Sequence, residues 1–234
     1  MNKCSKKIVV DYRTDIEAVN TLMNYGFNVF FTKELTGLYD AVQGHADLQI
    51  VKAGNNIITC PECYEYYKSL LNIKNIISGK KMLKEKYPED IAYNAAISDT
   101  FAIHNFKFTD SVLKEYITEK NLIKINTKQG YSKCSVCIIS DDAIITDDED
   151  IYKNAIDYKL DVLKIEKGSV KLKGFDYGFF GGATGVYENK LFINGELKFH
   201  TNANEISYFC KKHNITIIEL KKGEIYDIGS ILFI

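Results

Sequence analysis

One pattern recurs along this chain at intervals of roughly 40–50 residues, and a repeat constrains a fold more than any single motif. The segments ADLQIVKAGNNIIT (46–59), YNAAISDTFAIHN (93–105), SKCSVCIISDDAIIT (132–146) and GGATGVYENKLFIN (181–194) each hold a small-residue-rich strand, a polar turn and a second apolar strand. This is the signature of a β-hairpin. After each hairpin comes an amphipathic stretch (PECYEYYKSLL, TDSVLKEYITEKN, TDDEDIYKNAIDYK, TNANEISYFCKKHN), mostly with Thr, Asp or Asn where a helix cap would sit. A short apolar strand follows each helix: NIIS, LIKIN, DVLKI or TIIEL. The unit is therefore strand-strand-helix-strand.

A fifth copy is split. The segment YDIGSILFI (226–234) supplies a first strand, and KIVVDY (7–12) a second. Residues 14–25, capped by Thr14 and Asp15, supply the helix, and NVFFT the last strand. The expectation is a single α/β domain over 1–234, a five-unit α/β propeller closed by pairing of the two split strands. An open α/β sheet is the alternative, because the same alternation of elements produces it; pairing between residues 226–234 and 7–12 separates the two. Only Pro61 and Pro88 occur, and no Pro/Gly/Ser-rich linker divides the chain.

Composition narrows the function classes. The 30 basic and 31 acidic residues nearly cancel, and no dense Lys/Arg stripe interleaves with aromatics, so nucleic acid is not an expected partner. No apolar run approaches the length of a membrane span, and the opening MNKCSKKIVVDY lacks the apolar core of a secretory signal. A cytoplasmic location is expected, where the six cysteines stay thiols. Arg13 is the only arginine.

In a ring of such units the first strands line the axis, so polar side chains at their starts converge on one mouth. Those starts are GHAD (44–47), EDIAYN (89–94), QGYSKC (129–134), FFGGATG (179–185) and YDIGS (226–230). A Cys and a His in one cleft can act as nucleophile and acid/base, with carboxylates holding the His or a cationic substrate. The candidates are Cys134 as nucleophile, His45 as acid/base, and Asp47 and Asp227 as carboxylates, with Tyr131 and Phe175 to Phe180 lining the mouth.

The order of these motifs resembles the guanidino-modifying enzymes, the pentein-fold superfamily of arginine and agmatine deiminases, dimethylarginine hydrolases and amidinotransferases. Those enzymes carry Glu-Gly-Gly, then His-x-Asp in the next unit, then a Cys preceded by Gly two units later. Here Asp227-Ile-Gly229-Ser230, His45-Ala-Asp47 and Gly130-Tyr-Ser-Lys133-Cys134 stand in that order, circularly permuted. The segment AYNAAISDTFAIHNFKFTD, with Asn94, is similar to the one those enzymes place between His and Cys. QGYSKC and GFFGGATG are also similar to an uncharacterised, largely clostridial bacterial family assigned to this fold, over the whole chain.

The resemblance implies a cysteine-dependent hydrolase or transferase acting on a guanidine- or amidine-like C–N bond, with no cofactor or metal. Asp47 would pair the cationic N–H fork with Asp227, and Asn94, Tyr131 and Lys133 would line the substrate. Asp227 stands where Glu is usual, and the arginine that clamps a substrate α-carboxylate has no counterpart. A decarboxylated or small substrate is therefore expected unless Lys133 or Arg13 substitutes. The alternative is a non-catalytic ring that binds a small cation or a protein partner.

Three further features have plainer explanations. Cys60-Pro-Glu-Cys63 and Cys134-Ser-Val-Cys137 share C-x-x-C spacing, but one lies at a hairpin-to-helix junction and the other at a strand start, so a four-thiolate zinc site is not expected. The acids Asp147 to Asp150 suit a helix start better than a calcium loop. Gly181 to Gly185 lacks the following Lys-Ser/Thr of a phosphate loop; small residues there let backbones crowd the axis.

Overall fold

The computed structural model describes residues 6–234. Met1–Ser5, on which part of the secretory-signal expectation rests, lie outside the described residues. In chain order the first elements are β1 (Lys6–Val10), α1 (Ile16–Asn24) and β2 (Phe27–Phe31). A single helical turn, α2 (Ala46–Gln49), opens the next unit, β3 (Ile50–Ala53), β4 (Asn56–Thr59), α3 (Tyr64–Leu71) and β5 (Ile76–Ser78). The third unit is β6 (Ala96–Ile97), β7 (Phe101–His104), α4 (Ser111–Glu119) and β8 (Ile123–Asn126). A second such turn, α5 (Ser132–Ser135), precedes β9 (Val136–Ser140), β10 (Ala143–Thr146), α6 (Glu149–Asp157) and β11 (Asp161–Lys164). After the short β12 (Val170–Lys171) come β13 (Thr184–Tyr187), β14 (Lys190–Ile193), α7 (Ala203–Lys212) and β15 (Thr216–Glu219), then β16 (Ile225–Tyr226) and β17 (Leu232–Phe233).

Five three-stranded sheets share one topology. In each, the middle strand pairs antiparallel with its hairpin partner and parallel with the strand after the helix. The split unit obeys the same rule: Ile8 faces Phe233 and Val9 faces Leu232 antiparallel, while β1 and β2 run parallel in five-residue register. β17 and β1 therefore pair in one three-stranded sheet with β2.

The middle strands are covered on both faces, which explains their continuous apolar runs. All four residues of β7 and of β10 are buried. Helices present one stripe inward, as with Leu113, Tyr116 and Ile117 of α4. Three aspartates start helices by accepting backbone N–H groups: Asp15 from Glu17, Asp110 from Val112, and Asp148 from Asp150 and Ile151. Each such cap contributes about 1 kcal/mol. The acidic run at 147–150 is thus a helix start in the main.

Two expectations need correction. Cys134 lies on the helical turn α5, whereas Cys137 lies on the strand β9. Gly181–Ala183 likewise forms a 3₁₀ turn before β13 rather than a strand start. Backbone crowding accounts for the composition: a Cβ on Gly181 would lie 2.6 Å from the carbonyl oxygens of both Lys133 and Cys134. In addition, β12 and β16 pair in a two-stranded sheet that the repeat does not anticipate.

Candidate active site

The helical turns aim side chains inward at the point where three units meet. His45 is the residue before α2, Asp47 lies within it, and Cys134 lies within α5. One donor atom from each of these three lies within 4.8 Å of the other two. All three side chains are buried, Cys134 at 3% exposure.

Asn94, two residues before β6, ties the set together. Its Oδ1 accepts from the backbone N–H of Lys133 (2.8 Å) and of Cys134 (3.2 Å). Its Nδ2 donates to the Asp47 carbonyl (3.2 Å) and to Cys134 Sγ (3.2 Å). Cys134 Sγ in turn donates to Asp47 Oδ2 at 3.2 Å. One fully buried amide thereby fixes both the turn carrying the thiol and the thiol itself.

The 227–231 segment closes the set from the other side. Ser230 Oγ donates to Asp47 Oδ2 at 2.6 Å and accepts from Lys133 Nζ at 3.0 Å. Its backbone is left-handed, with φ 72°. Gly229 (φ 64°) must be glycine for a second reason, since a Cβ would fall 2.3 Å from the Cβ of His45. Sequence reasoning missed the role of Ser230 as a partner of Asp47; the hydroxyl in place of the second glycine of the Glu-Gly-Gly slot was the available signal. Asp227 Oδ2 accepts from Phe179 N–H and Oδ1 from Gly229 N–H, both at 2.9 Å. His45 Nδ1 stands 3.9 Å from Asp227 Oδ1, beyond hydrogen-bond reach.

Burial governs the protonation of all four groups. It pushes the Cys134 thiol well up, reinforced by Asp47 and Asp227, so the thiol rests protonated against the carboxylate. Burial lowers the His45 imidazole, which is neutral at pH 7, against the opposing pull of Asp47. Asp47 is raised by burial, and Asp227 is raised by burial to about 6 although two backbone N–H groups oppose it. His45 Nδ1 and Asp47 Oδ1 have no partner within the protein. Buried polar atoms left open at one point invite a ligand or water.

Cys134, His45 and Asp227 face a cavity of about 310 Å³ walled by Tyr39, Tyr131, Phe175, Tyr177 and Phe179. Tyr131 is pinned by its hydroxyl, which donates to the buried carboxylate of Asp90. Asp47 and Lys133 instead line a separate groove of about 810 Å³ at the hairpin-turn end. The layer of Asp47, Ser230 and Lys133 thus forms a septum, with the thiol on one side. Arg13 is taken up by Asp11, Nε to Oδ1 at 2.9 Å and NH2 to Oδ2 at 2.6 Å. Neither Arg13 nor Lys133 lines the aromatic cavity, so the expected substitute for a carboxylate clamp is not in place there.

The imidazole, carboxylate and thiol are donors of the kind that hold a zinc ion. Here Asp47 Oδ2 already accepts from Ser230 and Cys134. The two C-x-x-C pairs lie in different cores, Cys60 and Cys63 with Tyr67, and Cys137 with Cys210. Among the described residues no helix is long and apolar enough to cross a membrane.

A profile of a family of unknown function, DUF6873, matches residues 9–232. The chain belongs to that family. No curated protein sequence matches it. Among solved structures, it is similar to DDAH from Pseudomonas aeruginosa in complex with citrulline (7% identity, TM-score 0.56, covering 92% of this chain and 91% of that one). It is also similar to C. jejuni agmatine deiminase, at 9% identity and TM-score 0.52, covering 92% and 86%. The chain therefore has the pentein fold of the guanidino-modifying enzymes. At such identities the likeness speaks for the fold.

Proposed function

We propose that this protein is a cysteine-dependent hydrolase or transferase acting on a guanidine- or amidine-like C–N bond, and that its five units form one domain closed in a ring around the site. The observation that carries the proposal is the convergence of Cys134, His45 and Asp47 within 4.8 Å, beneath a cavity that also holds Asp227. The fold relatives support the reaction class.

In this mechanism a guanidinium enters the cavity with its N–H fork toward Asp227, while Asp47 acts on the thiol from the septum. The guanidinium's positive charge offsets the two carboxylates that hold the thiol protonated, and the Cys134 proton passes to neutral His45. The thiolate attacks the central carbon, and a C–S bond forms. The tetrahedral adduct breaks one C–N bond, and His45 gives the proton to the departing amine. His45 then takes a proton from water as its oxygen attacks the same carbon, and collapse expels the Cys134 thiolate. In a transfer reaction an amine replaces the water. Positioned acid/base catalysis of this kind contributes about 10² to 10⁴ in rate.

The test incubates the protein with a panel of alkylguanidines and with a haloacetamidine, measuring amine or ammonia release and mass added at Cys134. Turnover or selective labelling that Cys134→Ser abolishes is expected. A thiol that reacts with the haloacetamidine no faster than with neutral iodoacetamide, with no turnover of any guanidine, would point instead to a non-catalytic ring that binds a small cation.

A further inference from the structure

Among the described residues, six that are not glycine have a left-handed backbone. Five of them, Asn72, Asn121, Lys159, Glu188 and Asn214, are exposed and either follow a helix or turn a hairpin, where that conformation is ordinary. Ser230 is the sixth, and it is fully buried. Glycine would adopt φ 72° without steric cost, as the neighbouring Gly229 does at 64°. A buried side chain kept in that conformation is held there by its surroundings, and such positions cluster where the strain serves a site. What Ser230 has and glycine lacks is a hydroxyl.

That hydroxyl has one proton and three polar neighbours. Lys133 Nζ, which can only donate, bonds Oγ at 3.0 Å and so turns the hydroxyl's own proton away from itself. Of the two acceptors left, Asp47 Oδ2 lies at 2.6 Å and the Gly181 carbonyl at 3.1 Å. The carboxylate is both the closer and the stronger acceptor. Cys134 Sγ donates to the same oxygen at 3.2 Å, and Asp47 Oδ1 has no partner. Asp47 therefore holds two donors while the thiol is protonated. Once the thiol gives up its proton, Ser230 is the donor that remains. Without the hydroxyl the buried carboxylate would be left bare beside a thiolate, which is costly. The other groups around the sulfur act on it by different routes: His45 and Asp227 share its cavity, Asn94 Nδ2 donates to it directly, and the Tyr131 hydroxyl is held by Asp90. Lys133 lies on the groove side of the septum.

We propose that Ser230 is a positioning residue for Cys134: its hydroxyl, oriented by Lys133 from the groove side of the septum, stays on Asp47 when the thiol ionises and so sets how readily Cys134 reacts. This rests on Cys134 as the reacting group of the proposed function and adds a control on it from the face opposite the cavity.

The experiment follows alkylation of Cys134 by iodoacetamide, located by mass spectrometry, from about pH 6 to about pH 10. Wild type, Ser230→Gly, Ser230→Ala and Asp47→Asn are compared per folded molecule. The thiolate's ultraviolet absorbance, taken as the difference from Cys134→Ser, gives the same midpoint where alkylation is slow. Both Ser230 variants should react about tenfold more slowly below the midpoint, with the midpoint moved up by about one pH unit. Ser230→Gly relieves the left-handed strain and Ser230→Ala retains it, so an equal loss in both assigns the effect to the hydroxyl. Adding Ser230→Gly to Asp47→Asn should change the rate by less than about twofold, because the carboxylate it acts through is gone. Unchanged rates and midpoints in both Ser230 variants overturn the proposal. So does a loss in only one of them, or a loss that persists in full in Asp47→Asn. Iodoacetamide is neutral and carries no guanidine-like group, so these outcomes bear on Ser230 alone, and the guanidinium assignment stands or falls by turnover.

Discussion

Two pairs of cysteines share the spacing C-x-x-C in this chain and end in opposite surroundings. Cys60 and Cys63 sit at the junction of β4 and α3, both fully buried in the same apolar cluster as Tyr67 and Leu71. Cys63 Sγ donates to Gln49 Oε1 at 3.5 Å, an acceptor it shares with the Tyr67 hydroxyl. The hydrogen bond with Cys63, and then burial, push the Cys60 thiol far above its ordinary range. Cys134 is equally buried, but its neighbours are an amide, a carboxylate and an imidazole with an open nitrogen, and it faces a cavity. Both environments hold the thiol protonated. Only the second can be reversed by a ligand, because a cation in the cavity changes the local charge, whereas Cys60 lines neither that cavity nor the groove.

The contrast breaks most sharply at the sulfur. Cys134→Ser should lower any C–N cleavage by about 10⁴-fold or more, whereas Cys60→Ser and Cys63→Ser should leave turnover per folded molecule within about twofold; steady-state rates normalised to folded protein decide this. A comparable loss in all three variants would mean that the thiols serve only the core.

Asn94→Ala comes next, since it strips acceptors from two backbone N–H groups and a donor from the thiol. A loss of about 2–4 kcal/mol in urea unfolding is expected, together with a Cys134 that alkylates at a changed rate. Stability loss without any change at Cys134 would separate the amide from the site.

The third test uses pH. Asp227 has its carboxyl raised by burial to about 6 from an ordinary 3.8, so between those values the folded chain holds a proton that the unfolded chain releases. Its contribution to stability is therefore present below about 4 and is lost as pH rises through about 6. Guanidinium binding should move the other way, strengthening as pH rises through about 6 and Asp227 becomes a carboxylate. Asp227→Asn should flatten both profiles, read by thermal melts and by protection of Cys134 at pH 5 and pH 8.

The smallest effect is Cys63→Ala, which removes one sulfur from the core and its bond to Gln49. About 1–2 kcal/mol of stability should be lost, with labelling of Cys134 by a haloacetamidine unaltered.

The parts of the fold that were legible in the sequence are those with a period. The continuous apolar runs AIIT and FAIH, the helical stripe of SVLKEYITE and the Asp caps place all five strand triplets, including the split one that joins Ile8 to Phe233. The turns α2 and α5 were not legible, because four residues are too few to display a helical period. That matters for the site, where the side chain's direction depends on the turn: Asp47 points into the septum and Lys133 toward Ser230, not into the aromatic cavity. The segment from 172 to 179 shows aromatic residues in the sequence but no repeat to place them. Motif order brought together Cys134, His45, Asp47 and Asp227, of which the first three offer donor atoms within 4.8 Å of one another and Asp227 stands 3.9 Å from His45. The bond from Ser230 to Asp47 was not legible, since it spans 183 positions along the chain.

That span has a consequence for how the protein is made. At about 5–20 residues per second of synthesis, Asp47 waits roughly 10–40 seconds before Ser230 exists to bond it. Throughout that interval β1 lacks β17, and the floor of the cavity lacks Asp227. The growing chain thus carries Cys134 and Asp47 before the residues that close around them exist. Assembly of the septum therefore comes at the end of synthesis, since contacts of such long range form late.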